Sequence, residues 1–308
     1  MNFISKLTFL FCFASFFIIQ KGVAQDMYTV ENEFNKHSKK YPNISIVKSK
    51  TYKKVIEKEI VYQMINGVET KMDVYQFQSK KNKPAVILVH GGGWKYGDKK
   101  LLKPLAQQIA KEGYQCFAVE YRKSGEAIYP AGVNDILNAV QFIRNHSNEF
   151  KVDTLKMAVL GCSSGGQMAA LLGTKYSDRF KAIVDIDGVL AFHHPESKEG
   201  SMAAEWLGGT YEEVPEVWEE ASALHHVNEA KLPMLFINSQ YERFHAGRDE
   251  MVQQLNTKNI YSEIVIVKDS PHTFWLFHPW FDEIVPPILQ FLKTNPKAVP
   301  SGVEAAVI

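Results

Sequence analysis

The sequence predicts an α/β fold: a mostly parallel sheet of about eight strands, helices on both faces, and a small lid inserted late in the chain. Three observations carry this. From Lys83 onward, short runs rich in Val, Ile and Ala alternate with longer segments of helical spacing. Before them, two segments alternate apolar and polar residues around Asn66-Gly67, the dipeptide that supplies positive φ for a tight hairpin. The alternation then stops between Gly188 and Lys231 and resumes after it, which is where a lid belongs.

The chain opens with Lys6, an almost unbroken apolar run from Leu7 to Ile19, and Gly22-Val23-Ala24 ahead of Gln25-Asp26. That is the shape of a signal peptide over residues 1–24, and the run is shorter than the roughly twenty residues a helix needs to cross a bilayer. The expectation is a secreted or periplasmic protein without membrane attachment after cleavage. Residues 25–51 are polar and weakly patterned, so they are taken as an N-terminal arm lying on the domain. A composition 45% apolar suits one globular domain, here residues 52–295, and the formal net charge of +1 gives no basis for a nucleic-acid or anionic-membrane partner. Of the three cysteines, Cys116 and Cys162 would survive export, each in or beside an interior strand, and no CxxC or His/Cys cluster argues for a metal.

Taken in order, strands are expected at 55–65 and 69–77 as the hairpin. Strand and helix then alternate: strand 84–89, helix 99–112, strand 114–121, helix 130–146, strand 156–161, helix 164–175 and strand 180–187. The lid spans about 188–231 and holds His193-His194 and His225-His226, read as loop surface because no acidic or cysteine ligand pattern accompanies them. Strand 233–237, helix 246–257, strand 260–267 and a closing helix 280–293 complete the domain, and 296–308 are read as a loose tail.

Within this frame Gly161-Cys162-Ser163-Ser164-Gly165 fits G-x-S-x-G between an apolar strand and an apolar helix with nothing intervening. That context marks a nucleophile elbow, with Ser163 as the nucleophile on a strained turn. Upstream, strand 84–89 runs directly into His90-Gly91-Gly92-Gly93-Trp94. Three glycines leave three backbone amides unobstructed, and each donor aimed at an oxyanion is worth roughly 3 kcal/mol.

HGGGW upstream of GxSxGG resembles the α/β-hydrolase esterases of the hormone-sensitive-lipase type and of the bacterial feruloyl or acetyl esterase type, over about Val55 to Thr294. The resemblance implies an α/β-hydrolase fold, no metal or cofactor, and an oxyanion hole from the amides of Gly92, Gly93 and Ser164, with Gly91 as a near substitute. It also gives the order nucleophile, acid, base. His272, in Ser270-Pro271-His272-Thr273, follows the last strand and is the expected base; His278 beside Pro279 is its rival. The family's acid lies a few residues beyond the strand ending at Ile237, where this chain has Asn238-Ser239-Gln240-Tyr241-Glu242. Glu242 is the best match by offset, with Asp249 and Asp187 as alternatives, and Asp135 is assigned to holding its loop and helix start.

The function expected from these residues is a serine esterase working through an acyl-enzyme on a small-molecule or polysaccharide ester, with acetyl or feruloyl groups on carbohydrate foremost. Trp94, Phe274 and Trp275 beside the motifs offer faces for a sugar or feruloyl ring. An aminopeptidase of the prolyl-oligopeptidase type and a non-catalytic binding domain stand as the alternatives.

Overall fold

The computed structural model describes residues 28–294 and the backbone of 306–307, so the expected signal segment lies outside the described residues. The chain enters through α1 (Val30–His37), a helix the weak patterning of the arm concealed. Thr29 caps it by accepting from the Asn32 amide at 3.1 Å, Glu31 and Glu33 sit in its first turn, and Lys36 and His37 in its last, as the helix dipole favours. A two-residue strand β1 (Ser45–Ile46) follows, then the hairpin β2 (Val55–Ile65) and β3 (Val68–Phe77), antiparallel about Asn66-Gly67.

Then comes β4 (Lys83–Val89), a 3₁₀ turn at Lys99–Leu102, α2 (Lys103–Lys111), β5 (Gln115–Val119), α3 (Ala131–Asn145), α4 (Ser147–Phe150), β6 (Val152–Cys162), α5 (Ser164–Lys175) and β7 (Ala182–Ile186). The insertion contributes α6 (Gly200–Leu207) and α7 (Pro215–Glu220), after which β8 (Met234–Ser239), α8 (Arg248–Thr257), β9 (Ser262–Val267), β10 (Phe277–His278) and α9 (Trp280–Thr294) complete the domain. Residues 306–307, read from the sequence as part of a loose tail, form β11 and pair in parallel with Val265 and Ile266 of β9.

The strand order is β11-β9-β8-β7-β6-β4-β5-β3-β2, parallel from β11 to β5 and antiparallel over β3 and β2, which is the α/β-hydrolase fold. Side chains alternate across a strand, so β4 feeds two cores. Ala85, Ile87 and Val89 pack with α3 and α5 on one face, and Val86 and Leu88 with α2 and α9 on the other. Both faces being apolar explains why the strands read as continuous apolar runs. It also sets β4, β6, β7, β8 and β9 side by side with their carboxyl ends along one edge, where open α/β sheets bind ligands.

The insertion packs onto the domain as a cap. Trp206 is fully buried, stacked on Trp94 with ring centroids 5.3 Å apart, edge-on to Tyr129 at 5.1 Å, and next to Phe192. Cutting such a tryptophan to alanine costs about 3–5 kcal/mol, a measure of what lifting the cap would have to overcome.

Candidate active site

Ser163 occupies the single step between β6 and α5, with φ +54° and ψ −125°. Left-handed backbone is strained for a side-chain-bearing residue and persists only when its surroundings enforce it. Here the Ser163 amide donates to the Ile186 carbonyl at 2.7 Å, tying the turn to β7. The geometry lifts Ser163 Oγ clear of the sheet and leaves the Ser164 amide at the free N-terminus of α5, where the helix dipole favours negative charge.

His272, in the loop after β9, approaches Ser163 Oγ through Nε2 at 2.8 Å. Its Nδ1 lies 2.8 Å from Asp187 Oδ2. A carboxylate only accepts, so Nδ1 carries the ring hydrogen and Nε2 is left as the acceptor facing the serine. Asp187 is 1% exposed and its other oxygen accepts from the Ser239 amide at 2.8 Å. The imidazole is gripped as well as hydrogen-bonded: Phe244 lies parallel to it at 3.4 Å and Trp275 stands edge-on at 5.4 Å. Below the base loop, Thr273 Oγ1 donates to buried Glu33 Oε2 at 3.1 Å, which fastens α1 to this loop.

The acid expected at Glu242 is therefore displaced. Glu242 sits exposed on a 3₁₀ turn, Glu242–Phe244, that presents Phe244 to His272. Asp249 is exposed on α8 and pairs with Arg248 at 2.7 Å. The end of β8, where a carboxylate was sought, supplies the Ser239 amide to Asp187 instead. His278, the rival base, bonds Asp282 at 2.7 Å and shows no contact with Ser163. Asp135 is buried and holds the Arg122 guanidinium and amide, each at 2.9 Å, a loop-organising position.

The glycine loop is built on buried His90, whose ring stacks on Tyr121 at 4.4 Å and bonds Glu120 at 3.3 Å. Burial pushes the Glu120 carboxyl up, but His90 and Lys123 outweigh it and hold it down at about 2. Gly92 has φ +129°, and a β-carbon there would fall 2.2 Å from the Tyr96 carbonyl oxygen, so only glycine fits. Gly91 lies against the Cys162–Ser163 turn, and Gly93 and Ser164 line one cleft together with Ser163.

Of the aromatic residues singled out for stacking on substrate, Phe274 and Trp275 prove to be core, while Trp94, though almost fully buried, lines the cleft beside Ser163. Trp94 is 2% exposed and donates through Nε1 to Gln167 Oε1 at 2.9 Å, while Phe274 and Trp275 are buried at 0% and 4%. Phe244 shares the cleft wall with Trp94.

The cleft beside Ser163 has a volume of about 20 Å³ and is lined from the cap by Glu199, while the sulfur of Met202 lies against Gly93, another of its lining residues. Glu199 was missed because the polar stretch before α6 carries no periodic signal, and Met202 because its place in the insertion gave no sign that α6 faces the cleft. Phe244 had one, as an apolar residue amid the polar run Gln240–His245. A larger groove of about 450 Å³ runs between Ile128, Tyr129, Leu207 and Val217, but no residue of the Ser163–His272 constellation borders it.

Three buried groups stay outside the chemistry. Burial, then the charge of Asp187, pushes the Asp185 carboxyl well up, which spares two adjacent anions. Cys116 and Cys162 are free, on strands separated by β4, and burial pushes both thiols up. Among the described residues no group of three or more His, Cys, Asp or Glu is placed to hold a metal.

A family model described as BD-FAE matches residues 72–264, more than half of the chain. Esterase LipC of Mycobacterium tuberculosis is 26% identical over 188 residues, covering 54% of this chain and 47% of its own length. The chain thus spans about half the length of that relative, and 30% of carboxylesterase NlhH from the same species. "Probable carboxylesterase 5" of Arabidopsis thaliana is 24% identical, covering 78% of this chain and 85% of its own. Among solved structures, Thermogutta terrifontis esterase 2 phosphonylated by sarin superposes with a TM-score of 0.67 at 19% identity, over 80% of this chain and 97% of that one, a likeness of fold.

Proposed function

The chain belongs to the BD-FAE family, and we propose that it is a carboxylic ester hydrolase that removes short acyl groups, acetyl before larger ones, from carbohydrate, through an acyl-enzyme on Ser163. The observation that carries this is the continuous line from Asp187 Oδ2 through His272 to Ser163 Oγ, with both hydrogen bonds at 2.8 Å. A serine hydroxyl becomes nucleophilic when a base takes its proton as it attacks.

Ser163 Oγ adds to the ester carbonyl while its proton passes to His272 Nε2, and Asp187 stabilises the imidazolium. The carbonyl oxygen, now an oxyanion, is received by the amides of Ser164, Gly93 and Gly92, helped by the positive end of α5. The tetrahedral adduct collapses, the C–O bond to the alcohol breaks, and His272 returns the proton to the departing oxygen. Water, deprotonated by His272, then attacks the acyl-serine, and collapse releases the acid and restores Ser163.

Preference for acetyl rests on space. A volume of about 20 Å³ is near the minimum for one water, so a methyl fits beside the serine, whereas a butyryl or feruloyl chain needs Met202 or Phe244 to swing away. Export, secreted or periplasmic, belongs to the same proposal and is motivated by the apolar run of residues 7–19 followed by Gly22-Val23-Ala24. Extracellular polymers would then be the carbohydrate met.

The test is a hydrolysis panel of aryl acetate, butyrate and ferulate, an acetylated xylan, and an aminoacyl anilide, with Ser163→Ala as control. Acetates leading the panel support the proposal. Activity confined to the anilide overturns it in favour of a peptidase, and silence throughout in favour of a binding domain.

A further inference from the structure

Among the polar groups that line the cleft, the Glu199 carboxyl is one that the acyl-transfer steps leave without work. Glu199 stands just ahead of α6 on the cap and lines the same small space as Ser163, Ser164 and Gly93. Its Oε1 is buried and has no hydrogen-bond partner. A buried, unpartnered carboxyl oxygen costs about 1–3 kcal/mol or more, so it persists where something else offsets it.

We propose that Glu199 is a specificity residue that accepts a hydrogen bond from a free hydroxyl of the substrate's sugar, next to the ester being cleaved. The electrostatics favour a hydroxyl over an ammonium. The Arg243 guanidinium lies within electrostatic reach of Glu199 and already counters part of its charge, which favours a neutral donor over a second cation. Burial, the largest influence on it, raises the Glu199 carboxyl above its ordinary value, which also fits a neutral partner. Its setting on the cap, facing the Ser163 elbow across a narrow gap, makes it a contact that forms only when a substrate enters. Phe244, on the same cleft, gives an apolar wall beside this polar point. Discrimination of this kind is strong, because a site built to bond a hydroxyl leaves its own group unpaired when the hydroxyl is missing.

The inference rests on the ester-hydrolase reading above and deepens it. The experiment compares kcat/KM for a monoacetylated methyl xyloside, with free hydroxyls beside the ester, against 4-nitrophenyl acetate, which has none. Wild type, Glu199→Gln and Glu199→Ala are measured with thermal melts. The expected result is that the sugar-to-aryl ratio falls about ten- to a hundredfold in Glu199→Ala and by less in Glu199→Gln, whose amide oxygen still accepts. An unchanged ratio, with sugar acetate still turned over by wild type, overturns the role of Glu199 alone. Wild type that cleaves only the aryl ester overturns the carbohydrate reading together with it. A glycine 4-nitrophenyl ester runs as a third substrate, and selective loss there would make Glu199 an ammonium reader and overturn the hydroxyl assignment.

Discussion

Ser163 and Asp187 both take a positive φ, +54° and +53°, each one residue beyond the paired residues Cys162 and Ile186 that end β6 and β7. Two neighbouring strands thus each finish at a positive-φ residue, and the two side chains leave the sheet on either side of His272. The nucleophile's elbow is an expected place for such strain; its repetition at Asp187 fixes the acid at the end of the adjacent strand.

Asp187→Asn is the sharpest test of that arrangement. Asparagine tolerates left-handed backbone, so the turn survives while the charge at His272 Nδ1 is lost and the wrong tautomer is favoured. Turnover of 4-nitrophenyl acetate should fall about 10⁴-fold with little change in melting temperature. Glu242→Gln and Asp249→Asn, both exposed, should remain within about twofold of wild type, surface changes of this kind being near neutral. If Glu242→Gln were the inactive variant, the acid would have to reach His272 by a rearrangement of the Glu242–Phe244 turn.

Removing the nucleophile or the base should each cost several orders of magnitude, and removing both little more, because they act as a unit. Ser163→Ala and His272→Ala, measured singly and together by burst and steady-state kinetics, check this. His278→Ala should keep near-normal rates, since that ring is engaged with Asp282. Loss of activity there with His272→Ala active would reverse the assignment of the base.

What was legible in the sequence was what rests on local rules. Buried strands announce themselves as apolar runs, the Asn66-Gly67 hairpin by its turn chemistry, and the elbow and glycine loop by spacing that only their chemistry needs. The acid was not legible, because an offset from β8 assumes that the carboxylate comes from that strand. Instead β7 and β8 act jointly, Asp187 bringing the charge and the Ser239 amide holding it. The helix α1 was hidden by its polarity, although Thr29 ahead of two acids and two late bases was a readable cap. Nor could tryptophans beside a motif be sorted into wall and core without the fold. Trp94 points back through Gln167 to the Ala221 carbonyl, joining the glycine loop, α5 and the cap.

Acid stability offers a check on the scaffold of the glycine loop. The Glu120 carboxyl is held at about 2 against an ordinary value of 4.5. A depressed folded-state value gives stability that is present above the unfolded value and lost as pH falls toward the folded one, at most about 3 kcal/mol here. Glu120→Gln should therefore be less stable than wild type near neutrality, with the gap closing between pH 4.5 and about 2. Urea unfolding across that range measures it. A gap that stays constant with pH would mean that the change acts through packing and not through the charge that His90 and Lys123 hold.

The size of the acyl site is set by a side chain that can be cut back. Met202 lies over Gly93 with its sulfur 2.0 Å from where a β-carbon on that glycine would be, and it stands on α6, whose far end is anchored by fully buried Trp206. The backbone of the cap therefore stays in place when this one side chain is shortened, since Met202 itself is 37% exposed and holds little of the core. Met202→Ala should open the cleft toward longer acyl chains without loosening the fold. One methylene in such a pocket is worth about 1–3 kcal/mol, so the ratio of kcat/KM for 4-nitrophenyl butyrate over acetate should rise about tenfold or more. Met202→Leu, which keeps most of the volume, should move the ratio far less. An unchanged ratio in Met202→Ala, with the melting temperature preserved, would show that the acyl chain leaves Ser163 by another direction and that the acetyl preference is not made by the cap.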